Sequence, residues 1–328
     1  MRFLQTTALK AAIIVLFTAV LFVLLILNIS VRDVFLKLLE ISLKTYLICL
    51  LFHLVTYLFR TAAMYLFLKD KVPFIHLLSS HFIHNFYLNV VPASLGELSL
   101  PYLLKRLVNM TRSFSVLFIN RVFSMCVLLV LFLVSVFSIF HTFELFRLNY
   151  KYIVLTVFIL LTLYIIFRLL AQRALSRYKI WKWISYRTAR LKDNVIGIVK
   201  NEFTWKKLIL LILFNLGYLT FLALLFRQIL LATGIRVGLF ELYYIMSLQA
   251  VILILPLKSF AGIGTTEGAW MIGLVSMGVA NKVALESGVI VHVINLISAA
   301  VFLVAGLIIR KLAEMKLNNQ PTIYQSIT

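Results

Sequence analysis

Long apolar runs, interrupted by short polar clusters, pattern this chain almost from end to end. A membrane-crossing helix needs about 20 mostly apolar residues. Runs of that kind predict spans over roughly 8–29, 45–68, 113–140, 152–170, 208–230, 242–257 and 287–309. Two segments break the pattern. Residues 74–106 start apolar but carry His76, His81, His84, Asn85 and Asn89 before reaching Pro92, Gly96 and Glu97. Residues 258–279 follow Pro256 and contain Lys258, Gly262, Gly264, Glu267 and Gly268. Proline interrupts a helix, and a carboxylate at membrane depth costs about 2.5–3.5 kcal/mol on insertion scales. Such positions predict broken or re-entrant helices, whose freed backbone groups can hold a polar group inside the bilayer. The expected fold is all-α: one integral membrane domain over 1–328, a polytopic bundle of about seven to eight spans with two broken segments.

The longest polar stretch, 171–207, holds ten Lys/Arg. Within it Trp181, Ile184, Leu191, Val195 and Ile198 keep helical spacing, which predicts a basic amphipathic helix over 181–199 on a membrane surface. Basic residues concentrate in cytoplasmic loops of membrane proteins. Loop 171–207 and the N-terminus are therefore expected on the cytoplasmic side, with Lys69–Lys71 and 105–112, provided that 74–95 returns to the side it left. The side of the basic tail at 310–316 depends on whether the second broken segment crosses, which the sequence leaves open. Residues 11–31 carry no charge, and no small-residue cleavage site follows. This reads as a retained first span rather than a signal peptide.

Composition agrees with that pattern. The chain is 63% hydrophobic and 13% charged, against about 45–50% and 25% for soluble domains. A formal charge of +21 would suggest nucleic acid in a soluble protein. Here the basic residues lie mostly in short loops between apolar runs, so the expected partners are anionic lipid headgroups and not nucleic acid. The expected location is the cell (inner or plasma) membrane. Cys49 and Cys126 lie inside apolar runs and form no disulfide framework.

Candidate chemistry centres on the breaks. Glu97 and Glu267 suit contact with a cationic headgroup, a proton or the donors around a lipid phosphate; the alternative is a cap on the next helix. Arg60, Arg121 and Arg227 lie near predicted span ends, where such side chains snorkel to the interface. Arg121 stands out, two turns into its span and close in sequence to the first break, with a guanidinium suited to phosphate. His81 and His84 share a helix face, yet no metal-binding pattern such as HExxH accompanies them, and no metal or other cofactor is expected. No nucleophile-elbow or P-loop pattern appears, so no catalytic residue is assigned and no enzyme activity is expected.

On these residues the chain resembles the flippase-like family named after the transmembrane region of lysylphosphatidylglycerol synthase, over about residues 8–310. The first family motif matches Asn89, Pro92, Gly96 and Glu97, followed by the basic end of a short helix at Lys105-Arg106. The second matches Pro256, Gly262, Gly264 and Glu267. Leu100, Thr266 and His292 stand where the family usually places arginine, and Asn120 and Ser124 where it often places Glu and Asp. The resemblance implies a helical bundle that moves or holds a polar-headed lipid: an aminoacyl-phospholipid, another phospholipid or a polyprenyl-linked lipid. The expected site is Asn89, Pro92, Gly96, Glu97, Arg121, Pro256, Lys258, Gly262, Gly264 and Glu267. In this reading Asn89 and both glutamates line a polar path, and Arg121 and Lys258 handle phosphate. The rival expectation is a non-transporting subunit that presents lipid to a separate lipid-modifying enzyme, such as a synthase or glycosyltransferase.

Overall fold

The computed structural model describes residues 16–92, 95–142, 191, 193–254 and 259–318. The expected span at 152–170, most of loop 171–207, Pro256 and Lys258 lie outside the described residues. Those described form helices and connecting turns, with no β-strand among them. In chain order the helices are α1 (Leu16–Asn28), α2 (Val31–Glu40), α3 (Leu43–Leu68), α4 (Phe74–Val90), α5 (Ser99–Leu104) and α6 (Met110–Thr142). After these come α7 (193–202), α8 (Trp205–Ala232), α9 (Leu239–Ile254), α10 (Thr265–Ser276) and α11 (Asn281–Asn318).

Four of them, α3, α6, α8 and α11, are long and apolar enough to cross a bilayer. The described part of the first predicted span is α1, which turns by 79° into α2, beyond the predicted end at 29. Asn28 and Ser30 explain the turn. Asn28 returns its side-chain amide to the Leu24 carbonyl, and Ser30 caps α2 by accepting from the Asp33 amide. The sequence pattern did not separate α2 as an element. The predicted span at 242–257 is the 16-residue α9, about 24 Å long and short for a bilayer core of about 30 Å.

Helix ends sort onto two faces. Arg112 at the start of α6 bonds both Glu202 of α7 and the Phe67 carbonyl of α3. Lys207 at the start of α8 lies over the Phe67 ring. Arg310 of α11 donates to the Leu103 carbonyl of α5. On the opposite face Lys37 of α2 pairs with Glu286 of α11 at 2.8 Å, and Thr233, just past α8, meets Ser287. The tail following Arg310 therefore starts on the same face as Lys69–Lys71, 105–112 and Glu202.

With the spans placed, the two breaks become two hairpins. The first, α4 and α5, enters from the Arg112 face and returns to it. The second, α9 and α10, enters from the Glu286 face and returns to that one. α11 runs beside both. Phe302 packs on Phe82 of α4, and a Cβ at Gly306 would press on the Ser79 carbonyl and Phe82. The missing side chain is what lets α4 and α11 approach closely. α8 supports the rest: Phe214 and Phe221 meet Phe59 of α3, and Phe226 stands edge-on to the buried Trp270 of α10. Of the segment predicted as an amphipathic helix, residues 191 and 193–199 are described, and 193–199 belong to α7. Val195 and Ile198 of α7 pack into the core cluster with Phe67, Leu104 and Leu211, while Ile196 and Val199 stay exposed.

Candidate functional site

Pro92 sets the first break. The residue before a proline is pushed out of helical backbone, and Val91 caps α4 with an extended conformation. A 3-10 turn, Leu95–Leu98, then leads into α5. Gly96 is buried against the backbone of Tyr87 and Leu88, where an added Cβ would collide with the Tyr87 carbonyl. Only glycine lets the returning strand of the hairpin lie this close to α4.

That close return aims Glu97 into the bundle. Its Oε1 accepts from Arg121 Nη2 at 2.6 Å. Its Oε2 lies 3.7 Å from His84 Nε2. His84 Nδ1 is 2.7 Å from Ser99 Oγ, which itself donates to the Gly96 carbonyl. The Glu97 and Arg121 side chains are each about a third exposed, at 30% and 32%. Behind them His81 is held by Thr61 at 2.9 Å.

Arg60 joins this cluster. A snorkelling role fits Arg227, which is exposed and reaches the Val237 carbonyl, but Arg60 is only 7% exposed. Its guanidinium lies 5.9 Å from the centre of the Tyr218 ring, and its charge acts on Arg121, Glu97, His81 and His84. The sequence held a signal for this. Arg60 lies eight residues inside the end of α3, about 12 Å from it, which is long for a side chain to reach water.

The second break is built differently. Ala261, Gly262 and Gly264 all have positive φ, and Gly264 packs so tightly on α1 that a Cβ there would overlap Leu21. Glu267 is 3% exposed and both its oxygens are engaged. Oε2 accepts from the Gly264 amide at 2.7 Å, capping its own helix, and Oε1 meets His292 Nδ1 at 2.7 Å. The structure thus gives Glu267 the capping role and adds His292 as its partner.

Asn89 links the two breaks through α11. Its side-chain oxygen accepts from Asn295, one turn along α11 from His292, while its amide returns to Asn85 and Asn85 reaches Tyr57. The 3-10 turn Phe260–Gly262 packs directly on α4. Of the expected site, Asn89, Pro92, Gly96, Glu97 and Arg121 come together around the first hairpin. Gly262, Gly264 and Glu267 shape the second. Arg60, His84, His292 and Asn295 complete the polar interior. Among the described residues no group of His, Cys, Asp and Glu is arranged to hold a metal.

No curated protein matches the chain. The family described as the lysylphosphatidylglycerol synthase TM region matches residues 8–305, a stretch that contains both hairpins and every residue of the interior just described. This is a multi-pass membrane protein, and it belongs to the lysylphosphatidylglycerol synthase transmembrane-region family.

Proposed function

We propose that this protein translocates a polar-headed lipid between leaflets. One observation carries the reading: two helical hairpins enter from opposite faces and meet on α11, with a charged, partly open cluster inside the first. Hairpins that enter and return on one face, with broken backbone at their tips, suit alternating access to a site within the bilayer. A bundle needing only stability has no use for Glu97, Arg121 and Arg60 at that depth. Glu97 and Arg121 would contact the headgroup, with the acyl chains left in lipid. Glu267, His292, Asn89 and Asn295 would hold the hairpin tips in register.

Sidedness follows from the basic residues. Lys69, Lys71, Lys105, Arg106, Arg112, Lys200, Lys206, Lys207 and Lys311 belong to the Arg112 face, against Asp70, Asp193 and Glu202. The opposite face mixes Arg32, Lys37, Lys44, Arg236 and Lys282 with Asp33, Glu40, Glu241 and Glu286. We assign the Arg112 face to the cytoplasm.

The test is leaflet exchange of headgroup-labelled lipids in vesicles holding the purified protein, with Glu97→Gln beside the wild type. Exchange that depends on Glu97 supports a translocase. Absence of exchange for every headgroup moves the function to lipid presentation for a separate enzyme.

A further inference from the structure

The cluster packed around the first hairpin holds more positive charge than it neutralises. Arg60 and Arg121 share one carboxylate, Glu97, and only Arg121 bonds it. Arg60 Nη2 and Arg121 Nε are buried with no hydrogen-bond partner. A buried guanidinium with unmet donors is costly, and natural sites keep such groups where a ligand completes them. Three further orphan atoms lie in the cluster: Glu97 Oε2, His81 Nε2 and His84 Nε2. Ser99 spends its hydroxyl hydrogen on Gly96, so its oxygen accepts from His84 Nδ1. A neutral His84 then presents Nε2 as an acceptor, also buried without a hydrogen bond. Guanidinium donors beside an imidazole acceptor fit one group better than others: a singly charged phosphate whose free oxygens take the guanidiniums, carrying a hydroxyl for His84 on the phosphorus or on a neighbouring carbon.

Resting on the lipid-translocation reading for its source of ligand, we propose that Arg60, Arg121 and His84 form a binding site for a singly charged phosphate, for which Glu97 competes at Arg121. The phosphate takes the Arg121 guanidinium from Glu97 and brings Arg60 its missing partner. Tyr218 supports Arg60 from the ring side. The arrangement requires Glu97 to oppose binding and to favour release, so its loss tightens binding while slowing transport.

Binding is measured by calorimetry on the protein in micelles of a phosphate-free non-ionic detergent, which keeps it separate from leaflet exchange. The probes are short-chain phosphatidylglycerol, inorganic phosphate and short-chain diacylglycerol as the phosphate-free control. The expected results are binding of the phosphatidylglycerol but not the diacylglycerol, a loss of at least about tenfold in Arg60→Gln, and a gain of about threefold or more in Glu97→Gln. Inorganic phosphate binding with the same Arg60 dependence would place recognition in the phosphate alone. Binding of the lipid only would place it in the phosphate as part of a lipid; either supports the site. Unchanged affinity in a folded Arg60→Gln overturns it. If that variant does not fold, Glu97→Gln decides, since weaker or equal binding there overturns the competition. Phosphate binding without lipid exchange would sink the translocase and leave the anion site standing.

Discussion

At the residue scale, the two glutamates at the breaks have parted company. Both sit beside glycine in sequence, and nothing in the spacing distinguished them. Packing does. Glu267 spends both oxygens within the protein, on the Gly264 amide and His292, whereas Glu97 keeps one oxygen without a hydrogen bond beside a partly exposed arginine. Glu267→Ala should therefore act on stability, removing a cap that is typically worth about 0.5–2 kcal/mol and stranding His292. A lowered thermal midpoint in detergent is the expected reading. Glu97→Gln should leave that midpoint near wild type and cut leaflet exchange by about tenfold or more, a change of about 1.4 kcal/mol in the transport barrier. Gly264→Ala should be costly twice over, from a positive φ and from overlap with Leu21, at about 1–3 kcal/mol for overpacking. The place of Asn89, Glu97 and Arg121 at the first break was legible because polar groups in apolar runs are conspicuous. Arg60 was legible only in part: its depth inside the span was a signal, but a charge toward a predicted span end has a simpler explanation, and the fold is what shows it buried.

At the scale of elements, hydrophobic runs located α3, α6 and α8 to within three residues and found α11, which extends six and nine residues beyond the predicted ends, since a continuous apolar stretch of that length has one outcome in a bilayer. The same rule failed where an element is short or lies flat. α2 has an apolar face but also Arg32, Asp33, Lys37 and Glu40, and a period-3.6 face ten residues long is easily absorbed into a loop. The hairpins were legible as breaks but not as a pair entering from opposite faces, because direction depends on contacts such as Arg310 with Leu103. Their junction is testable by itself. Asn89 and Asn295 should couple in a double-mutant cycle to alanine, with a stability coupling near the average of about 0.6 kcal/mol for interhelical polar pairs in membranes. Gly306→Leu should weaken the α4–α11 contact much more, since the side chain has only the Ser79 carbonyl and Phe82 to displace. Hydrogen exchange should rise along α4.

At the scale of the whole molecule, topology yields a direct prediction. Single cysteines replacing Lys71, Arg106 or Lys207 should react with an impermeant thiol reagent only from the cytoplasmic side. Those replacing Lys44, Arg236 or Lys282 should react only from the other, in a background lacking Cys49 and Cys126. The depth of the first cluster has an electrical consequence. Arg60 lies about 12 Å inside the end of α3, and Arg121, eleven residues into α6, about 17 Å inside its start. An anion held between them sits roughly halfway through a hydrocarbon core of about 30 Å. A full crossing moves a charge through about 2.3 kcal/mol per 100 mV, so departure from this depth uses about half of that. A cell that is negative inside therefore drives a bound anion outward and resists its return, acting as a rectifier that consumes no nucleotide. A potassium diffusion potential set across the vesicles should speed outward movement of an anionic lipid, reverse its bias when the polarity is reversed, and leave a lipid of zero net charge indifferent.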